Sequence, residues 1–339
     1  MSRVVVTGGA GFIGSHVCEA LLLAGHSVGV VDDLNNFYDP AIKTANMAIL
    51  AKAGARFYRT DVRDKAGLDR AFTLEKPELV IHLAARAGVR PSLDNPELYV
   101  STNVLGTQVV LEAMRAHSTP KLIFASSSSV YGERSAVPFR ESDVAATPMS
   151  PYAATKLAGE QLIYTYSRLF GLSAVCLRLF TVYGPRQRPD LAIHKFYRLM
   201  RAGNAIPLYG DGMTSRDYTF IGDIVQGVLV AINLDSSYEI INLGGARPVT
   251  LEALVRTLGA VLKVQPRVLR LPTQLGDVPI TCADTSKAAR LLGYRPKVEL
   301  ERGIQIFHDW YESAISSEAI ISSGPRRQHA ALSASVNLN

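Results

Sequence analysis

Arg3-Val4-Val5-Val6-Thr7-Gly8-Gly9-Ala10-Gly11-Phe12-Ile13-Gly14 reads as a short buried strand that runs straight into a glycine turn and then a helix. Gly8, Gly11 and Gly14 are three apart, so the spacing is G-x-x-G-x-x-G and not G-x-G-x-x-G. The physical demand for glycine is similar in both. A tight strand-to-helix turn has no room for Cβ, and backbone N–H groups must approach a pyrophosphate at the helix N-terminus. Phe12, Ile13, Val17, Ala20, Leu21 and Ala24 continue at helical spacing, and Gly25 suits a C-terminal cap. A second strand from Ser27 ends at Asp32. A carboxylate there accepts hydrogen bonds from an adenosine ribose and repels a 2′-phosphate, which favours NAD over NADP. Strand, glycines, helix, strand and acid, in that order, predict a dinucleotide site at Gly8, Gly11, Phe12, Ile13, Gly14 and Asp32.

Working outward, strands are expected at about 3–7, 27–32, 56–60, 79–83, 121–125, 174–180 and 239–243, most of them separated by helical segments. That alternation predicts an α/β fold, a doubly wound parallel sheet of about seven strands. From Thr181 the character changes to a loop rich in Pro and Arg, with a helix near 191–201. The expected division is 1–180 plus 220–247 for the nucleotide domain and 181–219 plus 248–315 for a smaller, discontinuous C-terminal α/β lobe. Residues 316–339, rich in Ser, Gly and Ala, are expected to be a disordered tail.

Composition narrows the partners. At 339 residues and 47% hydrophobic, the chain can bury a large core. Net charge is +6 with both signs interspersed, and no basic run or helix face suggests nucleic acid. Cys18, Cys176 and Cys282 lie far apart in apolar surroundings, which suits reduced thiols in a cytoplasmic protein better than a disulfide or metal site. The first strand begins within three residues of Met1, leaving no room for a secretory signal, and no 18-residue apolar run suggests a membrane span.

Chemistry is signalled by Tyr152 and Lys156 in Ser150-Pro151-Tyr152-Ala153-Ala154-Thr155-Lys156. On a helix, residues four apart rise from one face. A nearby ammonium and a cationic cofactor ring would lower a phenol pKa from near 10, making a base able to take the proton of an alcohol. Fourteen tyrosines in this length produce roughly 0.4 such pairs with lysine by chance, so context decides. Ser126-Ser127-Ser128-Ser129 supplies it. These hydroxyls follow a predicted strand, at the sheet edge where ligands bind, and Ser127 completes a Ser–Tyr–Lys trio.

The chain at this point resembles the extended short-chain dehydrogenases/reductases, specifically the nucleotide-sugar 4-epimerases, over about residues 3–313. Thr7 to Gly14, Asp32, Asp61-Val62, His82-Leu83-Ala84-Ala85, Asn103, Ser127, Tyr152 and Lys156 carry the resemblance. It implies a Rossmann domain holding NAD, with Asp61 and Val62 beside the adenine. Leu83, Ala84 and Ala85 would line the cofactor groove, and Asn103 would support the active-site helix. Asp61 could instead cap a helix starting near Asp64, and His82 on an apolar strand is expected to be a satisfied core histidine. The resemblance also implies a homodimer through paired helices near 95–116 and 151–170, with Leu98, Val104, Leu105, Val109 and Leu111 as apolar surface that could equally face the chain's own sheet.

The second lobe speaks to substrate. By resemblance Arg216 grips a UDP diphosphate, Tyr209 stacks near uracil and Asp277 contacts the nucleotide, while Gln274 stands where galactose-type epimerases carry a second arginine. Thr181-Val182-Tyr183-Gly184-Pro185-Arg186-Gln187-Arg188-Pro189-Asp190 is similar to the UDP-glucuronate 4-epimerases, as is Ala87-Gly88-Val89-Arg90. Thr181 and Arg188 would hold the sugar carboxylate, with Arg90 and Arg186 also assigned to substrate. An arginine facing a neutral hydroxymethyl group would be a buried charge without a partner, costing several kcal/mol.

The expected reaction is therefore NAD-dependent 4-epimerisation of UDP-glucuronate to UDP-galacturonate through a 4-keto sugar. Tyr152 would act as base, Lys156 would depress its pKa, and Ser127 would share the 4-oxygen. The related 4,6-dehydratases carry an acid pair at the positions of Ser128 and Ser129, which here contribute only hydroxyls toward the sugar. A UDP-glucose 4-epimerase, a UDP-glucuronate decarboxylase and a non-catalytic dinucleotide sensor are the alternatives.

Overall fold

The structure is a computed structural model that describes residues 1–134, 136–143, 147–272 and 278–316. The expected tail, Ser316 apart, lies outside the described residues, as do Gln274 and Asp277.

The strands are β1 Arg3–Thr7, β2 Ser27–Asp32, β3 Arg56–Arg59, β4 Leu79–His82, β5 Lys121–Ser127, β6 Ser173–Leu179, β7 Thr181–Tyr183, β8 Ile206–Tyr209, β9 Ser215–Phe220, β10 Tyr238–Leu243, β11 Pro248–Thr250 and β12 Val268–Leu271. Seven of them form one sheet in the order β10-β6-β5-β4-β1-β2-β3, and every pair is parallel. The central strands are fully buried runs of Val, Ile and Leu, as a sheet covered on both faces requires. Strand order reverses between β1 and β4, which opens a crevice beyond their C-terminal ends.

The helices are α1 Phe12–Leu23, α2 Pro40–Lys52, α3 Lys65–Glu75, α4 Val89–Asp94, α5 Pro96–Tyr99, α6 Gly106–Ala116, α7 Pro151–Phe170, α8 Ala192–Arg201, α9 Ile221–Ala231, α10 Leu251–Leu262, α11 Ser286–Leu292 and α12 Leu300–Ser316. One face of the sheet packs Val17, Cys18 and Leu21 of α1 with Ile224 and Val228 of α9, and Ala288, Leu292 and Tyr294 join them. The other face packs Leu68 and Phe72 of α3, Val109 and Met114 of α6, and Ile163 of α7. A separate core gathers Phe196 and Tyr197 of α8, Leu254 and Leu258 of α10, and Phe307 and Tyr311 of α12. Over it lie two small sheets, β11-β9-β7 and β12-β8.

The three cysteines are free and buried, Cys18 and Cys176 within the two sheet cores. Among the described residues no cluster of side chains could hold a metal, and no helix is long and apolar enough to cross a membrane. The helix expected over 95–116 runs without interruption from Pro96 to Ala116, with a π-helical segment, Val100–Leu105, between α5 and α6. Val109 and Leu111 face the chain's own core, whereas Val100 and Leu105 are 52% and 48% exposed.

Candidate active site

A cavity of about 450 Å³ runs from the glycine turn, past the ends of β4 and β5, to β7 and β9. Its cofactor end fits a dinucleotide. Gly8 adopts φ +70°, and a Cβ there would lie 2.7 Å from the Ala84 backbone nitrogen; a Cβ on Gly14 would lie 2.2 Å from the Gly8 carbonyl oxygen. No side chain caps α1 at Gly11, so the N–H groups of its first turn are left for an anion. Asp32 accepts hydrogen bonds from the N–H groups of Ala10 (3.1 Å) and Leu34 (2.9 Å), with Lys43 Nζ 4.0 Å away. Burial raises its carboxyl and Lys43 pulls it back. Asp61, Val62, Leu83, Ala84 and Ala85 line the same groove. Asp61 does not cap α3, since Asp64 does; its carboxylate is held by the Arg63 guanidinium at 2.9 and 2.6 Å.

A row of hydrogen bonds fixes the groove to α7. The Ala84 N–H donates to Thr7 Oγ1 (3.3 Å), which lies 2.6 Å from His82 Nδ1. His82 Nε2 lies 3.1 Å from Thr107 Oγ1, whose proton goes to the Asn103 carbonyl (2.6 Å). Because Thr107 spends its proton on a carbonyl, it accepts from His82, and the imidazole carries its proton on Nε2. His82 is thus the satisfied core histidine expected, and burial holds it near 3. The Asn103 side chain continues the row. It accepts from the Arg86 N–H (2.7 Å) and donates to the Arg86 carbonyl (2.9 Å) and Thr155 Oγ1 (3.0 Å), and Thr155 donates to the Tyr152 carbonyl (2.8 Å).

Tyr152 and Lys156 sit on the first turns of α7, which Ser150 caps through the Ala153 N–H. Ser127 is a hydrogen-bonding neighbour of the phenol, and its Oγ lies 2.7 Å from Ser129 Oγ. Burial raises the Tyr152 phenol, while Ser127 and the Arg188 charge lower it. Lys156 donates to the Ala125 carbonyl at 2.7 Å and lies 4.9 Å from the Phe124 ring centroid. Its ammonium is depressed to about 8 by burial, against the pull of Glu160. Arg188 is thus a second cation acting on Tyr152 beside the expected Lys156, whose ammonium gives one of its three protons to a backbone oxygen.

At the sugar end, Ser128, Ser129, Thr181, Arg188 and Arg216 line the cavity. Arg188 is only 14% exposed, packs over the Phe37 ring at 5.0 Å and holds Asp190 with Nε and Nη2 at 3.0 and 2.7 Å. An unpaired buried charge was one ground for expecting a sugar carboxylate, beside the family resemblance; that one fails, since Asp190 already pairs with Arg188. Arg186 is a second correction. It turns away from the cavity to Glu19 and His16. Arg90 and Tyr209 meet each other, with the guanidinium carbon 5.1 Å from the ring centroid.

Residues 4–244 match the model of the NAD-dependent epimerase/dehydratase family. The chain belongs to this family. A UDP-glucuronate 4-epimerase of Thermodesulfobacterium geofontis is 41% identical over 93% of this chain and 98% of its own length. The crystal structure of a Bacillus cereus UDP-glucuronic acid 4-epimerase with UDP-glucuronic acid and NAD superposes with TM-score 0.87 at 36% identity, covering 91% of this chain and 99% of that one. A Thermotoga maritima UDP-glucose 4-epimerase with UDP-glucose superposes almost as well, with TM-score 0.86 at 34% identity over 92% and 99%. Family membership together with relatives of this identity and coverage makes the chain an NAD-dependent UDP-sugar 4-epimerase, and the backbone alone does not choose between sugars.

Several cavity neighbours escaped the sequence reading. Lys43 beside Asp32, Arg63 on Asp61, and Tyr99, whose ring meets Tyr152 edge-on at 6.2 Å, carry no motif of their own. Arg86, bonded to Asn35 Oδ1 at 3.2 Å, lies between the two family-like segments that end at Ala85 and begin at Ala87, and its guanidinium stands over the Phe37 ring at 5.8 Å.

Proposed function

We propose that this chain interconverts UDP-glucuronate and UDP-galacturonate by oxidation and re-reduction at C4. The observation that carries the proposal is the placement of Arg188 and Thr181 in the Tyr152 cavity, with the guanidinium near enough for its charge to act on the phenol. Nε and Nη2 of Arg188 each give a proton to Asp190, and the two N–H groups of Nη1 are left for a carboxylate. The named relatives with UDP-glucuronate support the same reading.

Tyr152 takes the proton of the sugar 4-hydroxyl, and Ser127 hydrogen-bonds the same oxygen. Bound NAD supplies the hydride acceptor and later the donor. Lys156, anchored on Ala125, keeps a positive charge below about pH 8 at the nicotinamide end of the groove. Arg216 suits the diphosphate by bidentate geometry, so the sugar can turn about that anchor while its 4-keto group stays over Tyr152. Asp277, outside the described residues, remains assigned to the nucleotide by family resemblance alone. A homodimer through the helical surface of 95–116 and α7 is part of the proposal, supported by exposed Val100, Leu105 and Tyr164. So is a reducing, cytoplasmic setting, supported by three free thiols.

One observation favours a second reading. Asp190 neutralises Arg188 without any substrate, as a neutral-sugar pocket requires, so UDP-glucose remains the competitor. The test is to incubate the purified protein, without added NAD, with each UDP-sugar and identify products by NMR. UDP-galacturonate as the product is expected. UDP-galactose alone overturns the carboxylate assignment, and a UDP-pentose shows decarboxylation.

A further inference from the structure

The loop that carries Arg188 is fastened to the cofactor helix by side chains that line neither end of the cavity. Arg186 sits at φ +62°, a left-handed conformation costing a non-glycine residue about 1 kcal/mol or more. Its Nη2 donates to the Glu19 carboxylate and to His16 Nδ1 at 3.0 Å. His16 Nε2 lies 2.9 Å from the Pro185 carbonyl. A guanidinium only donates and a carbonyl only accepts, so His16 is neutral and carries its proton on Nε2. His16 and Glu19 are three apart on α1 and present one face to the loop. The guanidinium is 13% exposed and Glu19 29%, so solvent competes weakly for this contact. On its other side the loop is pinned at Gln187, which donates to the Val182 carbonyl at 3.2 Å and whose own carbonyl lies 2.6 Å from His194 Nδ1. Arg188 is the next residue.

We infer that Glu19 and His16 are positioning residues for sugar specificity: by holding Arg186 and Pro185 against α1, they set where the Arg188 guanidinium meets the sugar. This rests on the UDP-glucuronate reading above. The helix whose first turn is offered to the cofactor phosphates thereby also aligns the group that recognises C6. Misplacing a binding group by about 1 Å can cost on the order of 100-fold, and the latch is two residues from the group it places.

The test is calorimetric titration of the NAD-loaded protein with UDP-glucuronate, UDP-glucose and UDP. UDP lacks the sugar and reports the nucleotide site alone. Glu19→Gln and His16→Ala are each expected to weaken UDP-glucuronate about tenfold while UDP stays within about twofold. His16→Gln, whose amide can accept from Arg186 and donate to Pro185, is expected to keep the wild-type preference, which a general packing defect would not. A Glu19→Gln protein that retains NAD and melts normally, yet keeps the full preference for the uronate, overturns the inference. If Glu19→Gln does not fold, the two His16 variants decide alone: equal behaviour of both overturns it. A wild-type protein with no preference for UDP-glucuronate overturns the substrate reading, and the specificity role with it.

Discussion

Burial raises the Tyr152 phenol above its ordinary value while Ser127 and Arg188 draw it down. The proposed mechanism needs the phenolate, so charges around Arg188 should move the acid limb of activity in opposite senses. Removing the guanidinium in Arg188→Ala takes away a cation and should shift that limb to higher pH. Asp190→Asn frees Arg188 from its counter-ion and should shift it lower. A pH profile of the rate at which reduced cofactor appears in a single turnover separates the two, and equal shifts would show that Arg188 does not act on Tyr152. Tyr152→Phe should retain NAD yet lose about 100-fold or more in epimerisation, the range for losing a general base. Product formation followed by NMR checks it. Single-residue spacing could find Tyr152, Lys156 and Ser127, because a helix turn and a strand end fix their directions. It could not tell Arg186 from Arg188. Two residues apart in a loop have no period, and what separates them is a positive φ and a carboxylate at Glu19, remote in sequence.

Elements were legible where a run of residues carries its own local pattern. The seven main strands begin and end within about two residues of expectation, because continuous runs such as Val4-Val5-Val6 belong only inside a two-sided sheet. The paired strands β8 and β12, or β9 and β11, are short, and their partners are distant in sequence, so no local pattern announces them. The π-helical turn at Val100–Leu105 was equally hidden, since an i→i+5 bond requires no particular side chain. Yet it is the element that carries Asn103. Asn103→Ala should strand the Arg86 and Thr155 groups it serves and cost about 1–3 kcal/mol, read as a lower melting temperature. At the glycine turn, Gly14→Ala would drive a Cβ into the Gly8 carbonyl, and the purified protein should carry much less NAD by absorbance after denaturation.

For the whole molecule, acid sensitivity follows from three buried imidazoles. His16 and His194 are lowered to about 4 and His82 to about 3, all chiefly by burial. The unfolded chain takes up their protons near pH 6.5 while the folded one does not, so stability is full above that value. It should then fall as pH drops toward 4, by up to about 1.4 kcal/mol per unit for each group. Melting temperatures from pH 7 to pH 4 test this, and a flat profile would refute it. The proposed homodimer makes a separate demand: Leu105→Glu should yield a monomer by light scattering.

The bonds through His82 have one further consequence. From the Ala84 amide to the Asn103 carbonyl every proton points the same way, and no hydroxyl along the row can rotate without its neighbours turning too. Thr7→Val and Thr107→Val therefore damage one polarised object from opposite ends. Their losses should sum to more than the double variant shows, because the first cut already leaves the remaining links without a fixed sense.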